Sequence, residues 1–120
     1  MEPFRTDLLD AAQARRQADD EAQRLETMER IIQWLETEGV QYGMDEAFIF
    51  GSVIRPYHFT ERSDVDIAVE QMEVEAFFAA MGALSEAVER DVDLVELWKC
   101  PFAHRIRQQG VKWRRETLPS

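Results

Sequence analysis

The stretch AFIFGSVIRPYHFTERSDVDIAVE, residues 47–70, decides how this chain is read. Ala47–Phe50 is a short apolar run that stops at Gly51-Ser52, and Asp64–Glu70 alternates carboxylate and apolar side chains before Ala68. Successive strand side chains point to opposite faces, so Val65, Ile67 and Val69 share one face, and Asp64, Asp66 and Ala68 share the other. The apolar face belongs in a core. The two carboxylates therefore stand beside buried surface, where an unpartnered charge is costly. Ala68 is small enough to leave space next to them.

Downstream, DVDLVEL (91–97) repeats the pattern. Asp93 lies between Val92 and Leu94, which face the other way, and Asp91 shares its face, so strand register alone leaves both in play. If the two strands are neighbours, three carboxylates converge on one patch. Charges so placed repel one another and raise each other's pKa unless a cation sits among them. An all-oxygen ligand set suits Mg²⁺. Two such ions about 3.5–4 Å apart are a common device for in-line displacement at phosphorus. Gly51-Ser52 supplies what else such a site needs, because glycine admits close backbone approach and N–H groups with a hydroxyl cradle oxyanions. Arg55, three residues on, adds a charge-assisted donor. Singly, a Gly-Ser after a strand is an ordinary turn; the combination is specific.

Around this centre the chain reads as an α/β (α+β) domain. Strands are expected at 47–50, 64–70, 91–97 and 111–113, with a helix over 72–89 whose stripe is Val74, Phe77, Phe78, Met81, Leu84 and Val88. A short helix has Pro101 in its first turn and ends at Gly110. Residues 6–38 lack Gly and Pro, so one long helix is expected, capped by Thr6 or Asp7 and closed at Gly39. Its second half has a core stripe of Leu25, Met28, Ile32 and Leu35. Its first half offers Leu8, Leu9 and alanines, too little to bury alone. We read residues 1–24 as an N-terminal helical extension, of which residues 1–22 dock on another chain, either a second copy or a different partner, and 25–120 as the domain proper.

Composition narrows the function classes. The net charge is −10 over 120 residues, but it divides into −15 for residues 1–98 and +5 for residues 99–120. An acidic body repels a phosphate backbone, which disfavours a direct grip on long nucleic acid. A basic protein, or a nucleotide carried with its metal, is the better partner. One cysteine, Cys100, excludes an internal disulfide and suits a reducing compartment. No apolar leader or run long enough to span a bilayer is evident, so a cytoplasmic protein without a membrane partner is expected. His58 and His104 read as ordinary surface histidines, and Trp34 and Trp113 as core.

The run FIFGSVIRPYHFTERSDVDIAV followed by DVDLVEL resembles the minimal nucleotidyltransferases of the polymerase-beta-like superfamily, over roughly residues 25–113. That resemblance implies a small mixed sheet flanked by helices, with ATP as substrate and two Mg²⁺ ions as cofactors. It also implies that Gly51 and Ser52 bind the triphosphate, with Arg55 beside them, and that Asp64, Asp66 and Asp93 are the catalytic metal ligands. The pattern favours Asp93 over Asp91. The spacer Val53–Ser63 is one residue longer than usual, and Pro56 stands where a glycine is common, so the loop must run differently there.

Members this small resemble the antitoxins of HEPN/MNT toxin–antitoxin pairs, which transfer AMP from ATP to a tyrosine of a HEPN ribonuclease toxin. The resemblance thus implies a protein adenylyltransferase (AMPylation) and a HEPN partner. The alternatives are a non-catalytic module that neutralises its partner by occlusion and a stand-alone transferase for a small molecule.

Overall fold

Alternating apolar strands and amphipathic helices assemble, in the computed structural model, into one sheet with helices on both faces. The structure describes the backbone of residues 3–116 and the side chains of residues 7–116. The elements are α1 (Pro3–Thr37), β1 (Glu46–Phe50), β2 (Val65–Val69), α2 (Val74–Val88), β3 (Val92–Glu96), α3 (Ala103–Gln109) and β4 (Val111–Arg114), with 3-10 turns at Gly39–Tyr42, Gly51–Ile54 and Leu97–Lys99. The sheet order is β3-β2-β1-β4. β1 is antiparallel to both β2 and β4, and β2 is parallel to β3. The expected mixed α/β architecture is present.

One sheet face carries Ala47, Ile49, Val65, Ile67, Val69, Val92, Leu94 and Trp113. This face packs against Ile31, Trp34 and Leu35 of α1 and Ala80, Leu84 and Val88 of α2. The other face holds a smaller cluster of Phe48, Ala68, Leu97 and Ile106. Ala68 therefore does not leave space beside the carboxylates: it is fully buried beneath this second cluster. Its small side chain admits the Phe48 and Leu97 packing instead.

The helix stripes differ from the sequence expectation. In α1 the buried positions are Arg24, Thr27, Ile31, Trp34 and Leu35, with Met28 and Ile32 partly buried, while Leu25 is 54% exposed. The apolar pattern misleads because two inward positions are polar. Thr27 returns its hydroxyl to Gln23 O at 2.7 Å, and Arg24 donates to Val53 O at 3.1 Å and to the Glu21 carboxylate at 2.8 and 2.9 Å. In α2, Val74 and Phe78 are 72% and 60% exposed because they border a groove beyond β3, the last strand of the sheet.

Three expected helix ends also shift, the first being the start of α1, which lies at Pro3, ahead of both Thr6 and Asp7. α1 does not close at Gly39; its last carbonyls, Leu35 O and Glu36 O, accept from the Arg115 guanidinium at 3.2 and 3.3 Å, so no left-handed glycine is needed there. Pro101 lies in a turn before α3 rather than in its first turn.

The Arg24 contacts tie α1 to the loop that follows Gly51-Ser52. The Glu21 carboxylate that pairs with Arg24 also accepts the Tyr57 N–H at 2.9 Å. The Arg24 hydrogen bond, then the Tyr57 N–H, hold the Glu21 pKa at about 2, below its ordinary 4.5. A depressed carboxylate pKa stabilises the fold above the ordinary value, and that contribution is lost as pH falls from about 4.5 towards 2. We expect Arg24→Ala to cost roughly 1–3 kcal/mol in denaturant unfolding, the scale of losing a partly buried charged donor. Glu21→Gln should flatten the acid limb of the stability curve in that window.

Candidate active site

Register brings the carboxylates together. Asp66 of β2 is the direct partner of Asp93 on β3, and on its other side Asp66 pairs with Phe50, the last residue of β1. Asp64 stands one residue before β2. Asp66 is half-buried, whereas Asp64 and Asp93 are exposed. Burial, then the charges of Asp93 and Asp64, push the Asp66 pKa up. Asp91 lies outside β3 and contributes its backbone carbonyl, which accepts Val65 N–H at 2.9 Å. Geometry thus sets Asp93, not Asp91, beside Asp66.

Gly51 closes this patch from β1. It has φ +79°, a left-handed conformation that suits glycine, and a Cβ built on it would run into Oδ2 of Asp66. Both facts call for glycine at this position. Ser52 is the second residue of the Gly51–Ile54 3-10 turn, and its carbonyl accepts Arg55 N–H at 3.0 Å. Arg55 is exposed at the turn's end.

The loop from Arg55 to Asp64 is pinned from three sides. Phe59 is 1% exposed in the core, and the Arg90 guanidinium lies 4.1 Å from its ring centroid. Arg90 also donates to Thr60 O and Ser63 O at 2.8 and 2.9 Å. The third side is the Glu21 contact to Tyr57 described above. With Pro56 where a glycine was anticipated, the positive φ falls one residue later, on Tyr57 at +66°. A non-glycine residue there costs roughly 1–2 kcal/mol, which the Glu21 contact helps to offset.

A cleft of about 810 Å³ opens beside the patch, within the range that takes a nucleotide-sized ligand. Phe50 and Gly51 form its floor, Arg55 and His58 one wall, and Arg105 and Gln109 of α3 the other. None of the three carboxylates lines it; they stand beyond its Gly51 end. Neither Arg55 nor Arg105 has an ion-pair partner among the described residues. The α3 wall was not apparent in the sequence. Its only signal there is the basic bias of residues 99–120, and His58, a lone loop histidine in the sequence, lines the opposite wall.

The donor set can be tested against a divalent cation. Among the described residues no three His, Cys, Asp or Glu side chains are grouped so as to hold a metal ion, so Asp64, Asp66 and Asp93 do not form the three-carboxylate ligand set that the resemblance implies. The patch nevertheless offers only oxygen donors, which suit Mg²⁺. Its central carboxylate has no compensating cation or hydrogen bond among the described residues, and its proton affinity is raised by burial and by its neighbours. In donor chemistry and in charge the Asp66–Asp93 pair, with Asp64 nearby, fits such an ion.

A mixed sheet with paired carboxylates on adjacent parallel strands and a Gly-Ser turn at the end of the next strand defines a nucleotidyltransferase fold. The family model for Polymerase beta, Nucleotidyltransferase matches residues 29–112, and the chain belongs to that family. Members typically use a nucleoside triphosphate and a divalent metal. Neither the curated proteins nor the solved structures gave a match. Among the described residues no helix is long and apolar enough to cross a membrane.

Proposed function

We propose that this protein is a magnesium-dependent protein adenylyltransferase that moves AMP from ATP to a tyrosine hydroxyl of a HEPN ribonuclease toxin, and so acts as its antitoxin. The observation that carries the chemistry is the side-by-side register of Asp66 and Asp93, with Gly51 against them and a basic cleft adjoining. Two Mg²⁺ ions held by Asp64, Asp66 and Asp93 would neutralise charge on the triphosphate and polarise its α-phosphorus. Gly51 lets the backbone approach the phosphates, Ser52 offers its hydroxyl, and Arg55 adds a guanidinium. The acceptor oxygen forms a bond to the α-phosphorus, the bond to the bridging oxygen of pyrophosphate breaks, and the hydroxyl proton passes to the carboxylate cluster. The partner reading rests on the resemblance and on charge. An acidic surface complements a protein built to hold RNA.

Intact-mass measurement after incubation with ATP, Mg²⁺ and the co-purified partner tests this. AMP units are expected on the partner; an unmodified partner that is still neutralised would favour occlusion. Ser52→Ala should weaken ATP use by ~1–2 kcal/mol, the scale of a hydrogen bond to a charged group. In rate this is a loss of roughly 5- to 30-fold in kcat/KM. An unchanged value would reduce Gly51-Ser52 to a turn.

A further inference from the structure

α1 outruns the domain it serves. At about 1.5 Å per residue its 35 residues extend roughly 52 Å. The molecule measures 68 × 30 × 28 Å, with a radius of gyration of 17.5 Å against about 13.6 Å for a compact chain of this length. Residues 7–19 are all exposed, and nothing among the described residues packs on them. Isolated helices of that length are marginal in water.

The exposed face has an internal order. Leu8, Ala11, Arg15, Ala18, Ala22 and Leu25 follow alternating steps of three and four, the spacing of a coiled-coil seam. All are exposed, Leu8 at 56% and Leu25 at 54%. Read backwards the seam is nearly the same: leucine, alanine, a central Arg15/Ala18 step, alanine, leucine. At ~100° per residue the seam points to the side of α1 roughly opposite Arg24, Thr27, Ile31 and Leu35, the face that holds the domain. A second helix laid along it would therefore not contend with the helix's own domain.

We infer that α1 is a homodimerisation arm, pairing antiparallel with α1 of a second copy so that Leu8 meets Leu25 and Ala11 meets Ala22. Charge decides both partner and direction. Arg15 sits in the seam and Asp19 borders it, whereas Arg16 and Asp20 turn away from it and Glu21 is held by Arg24. In the antiparallel register Arg15 lies over the partner's Ala18, which leaves it room, and beside the partner's Asp19. A parallel pair would instead set Arg15 against its own copy. Arg15, Arg16 and Asp19 have no ion-pair partner within the chain among the described residues. The alanines allow close approach of the two backbones. This inference is independent of the proposed chemistry, because the seam lies outside the carboxylate site.

Sedimentation equilibrium of the purified full chain and two double variants tests it. Glutamate and lysine are good helix formers, so both variants keep α1. The wild type is expected at twice the chain mass at tens of micromolar. Ala11→Glu with Ala22→Glu sets like charges opposite each other at both positions, and should be a monomer that still unfolds cooperatively. Ala11→Glu with Ala22→Lys sets opposite charges together only in the antiparallel register, and should restore the dimer. A monomeric wild type, or one that associates only with a different protein, would overturn the inference. So would two variants that behave alike.

Discussion

Replacing Asp66 and Asp93 together by asparagine is expected to lower magnesium-dependent nucleotidyl transfer by roughly 10³-fold or more, since several kcal/mol of charge stabilisation at phosphorus rest on this pair. The same double variant should unfold at a higher temperature than the metal-free wild type. Asp66 has its pKa raised in the folded state by burial and by the charges of Asp93 and Asp64. A carboxylate whose folded pKa is raised binds its proton more tightly when folded, so its ionisation destabilises the fold as pH rises through the carboxylate range. Asparagine removes that charge at little change of shape. Added Mg²⁺ should raise the melting temperature of the wild type and leave the variant unmoved. Activity lost together with stability would instead make the pair a structural element.

Gly51→Ala should be nearly as damaging to activity, and for a different reason. Gly51 has φ +79°, and an added Cβ meets the Asp66 carboxylate. Left-handed strain and the steric conflict each cost about 1–3 kcal/mol. The least costly relief is to swing the Asp66 carboxylate away, which moves it from its place beside Asp93. We therefore expect a stability loss of about 2 kcal/mol and at least ~10²-fold lower kcat, with the larger share of the damage in catalysis, as for a misplaced reacting group. Gly43 is a suitable control. It too has a positive φ, +76°, but nothing stands within 4 Å of an added Cβ, so Gly43→Ala should affect stability alone.

The parts of this molecule that were legible in its sequence are those where one period dominates. Alternation in DVDIAV fixed which side chains share a face, and the same alternation in DVDLVEL supplied the third carboxylate. The choice between Asp91 and Asp93 depended on inter-strand register, which no single strand encodes. The α1 stripe was displaced to Leu25 because Arg24 and Thr27 occupy buried positions that hydrophobicity does not flag. Arg24 is tolerated there because Val53 O and Glu21 receive its donors. Arg105 and Gln109 are exposed side chains on a seven-residue helix, and only the placement of α3 over β1 turns them into a cleft wall. The loop's departure at Pro56 was visible, but its resolution on Tyr57 required α1, distant in sequence, to supply Glu21.

The nature of the released phosphate tests the central assignment most directly. Complex containing the co-purified partner should be incubated with Mg²⁺ and ATP, and the products separated as pyrophosphate and orthophosphate. Attack at the α-phosphorus predicts pyrophosphate, in amounts matching AMP attached to the acceptor, abolished by a chelator and by the Asp66→Asn, Asp93→Asn double variant. Orthophosphate as the sole product, or pyrophosphate release that persists in the double variant, would contradict nucleotidyl transfer at this carboxylate pair.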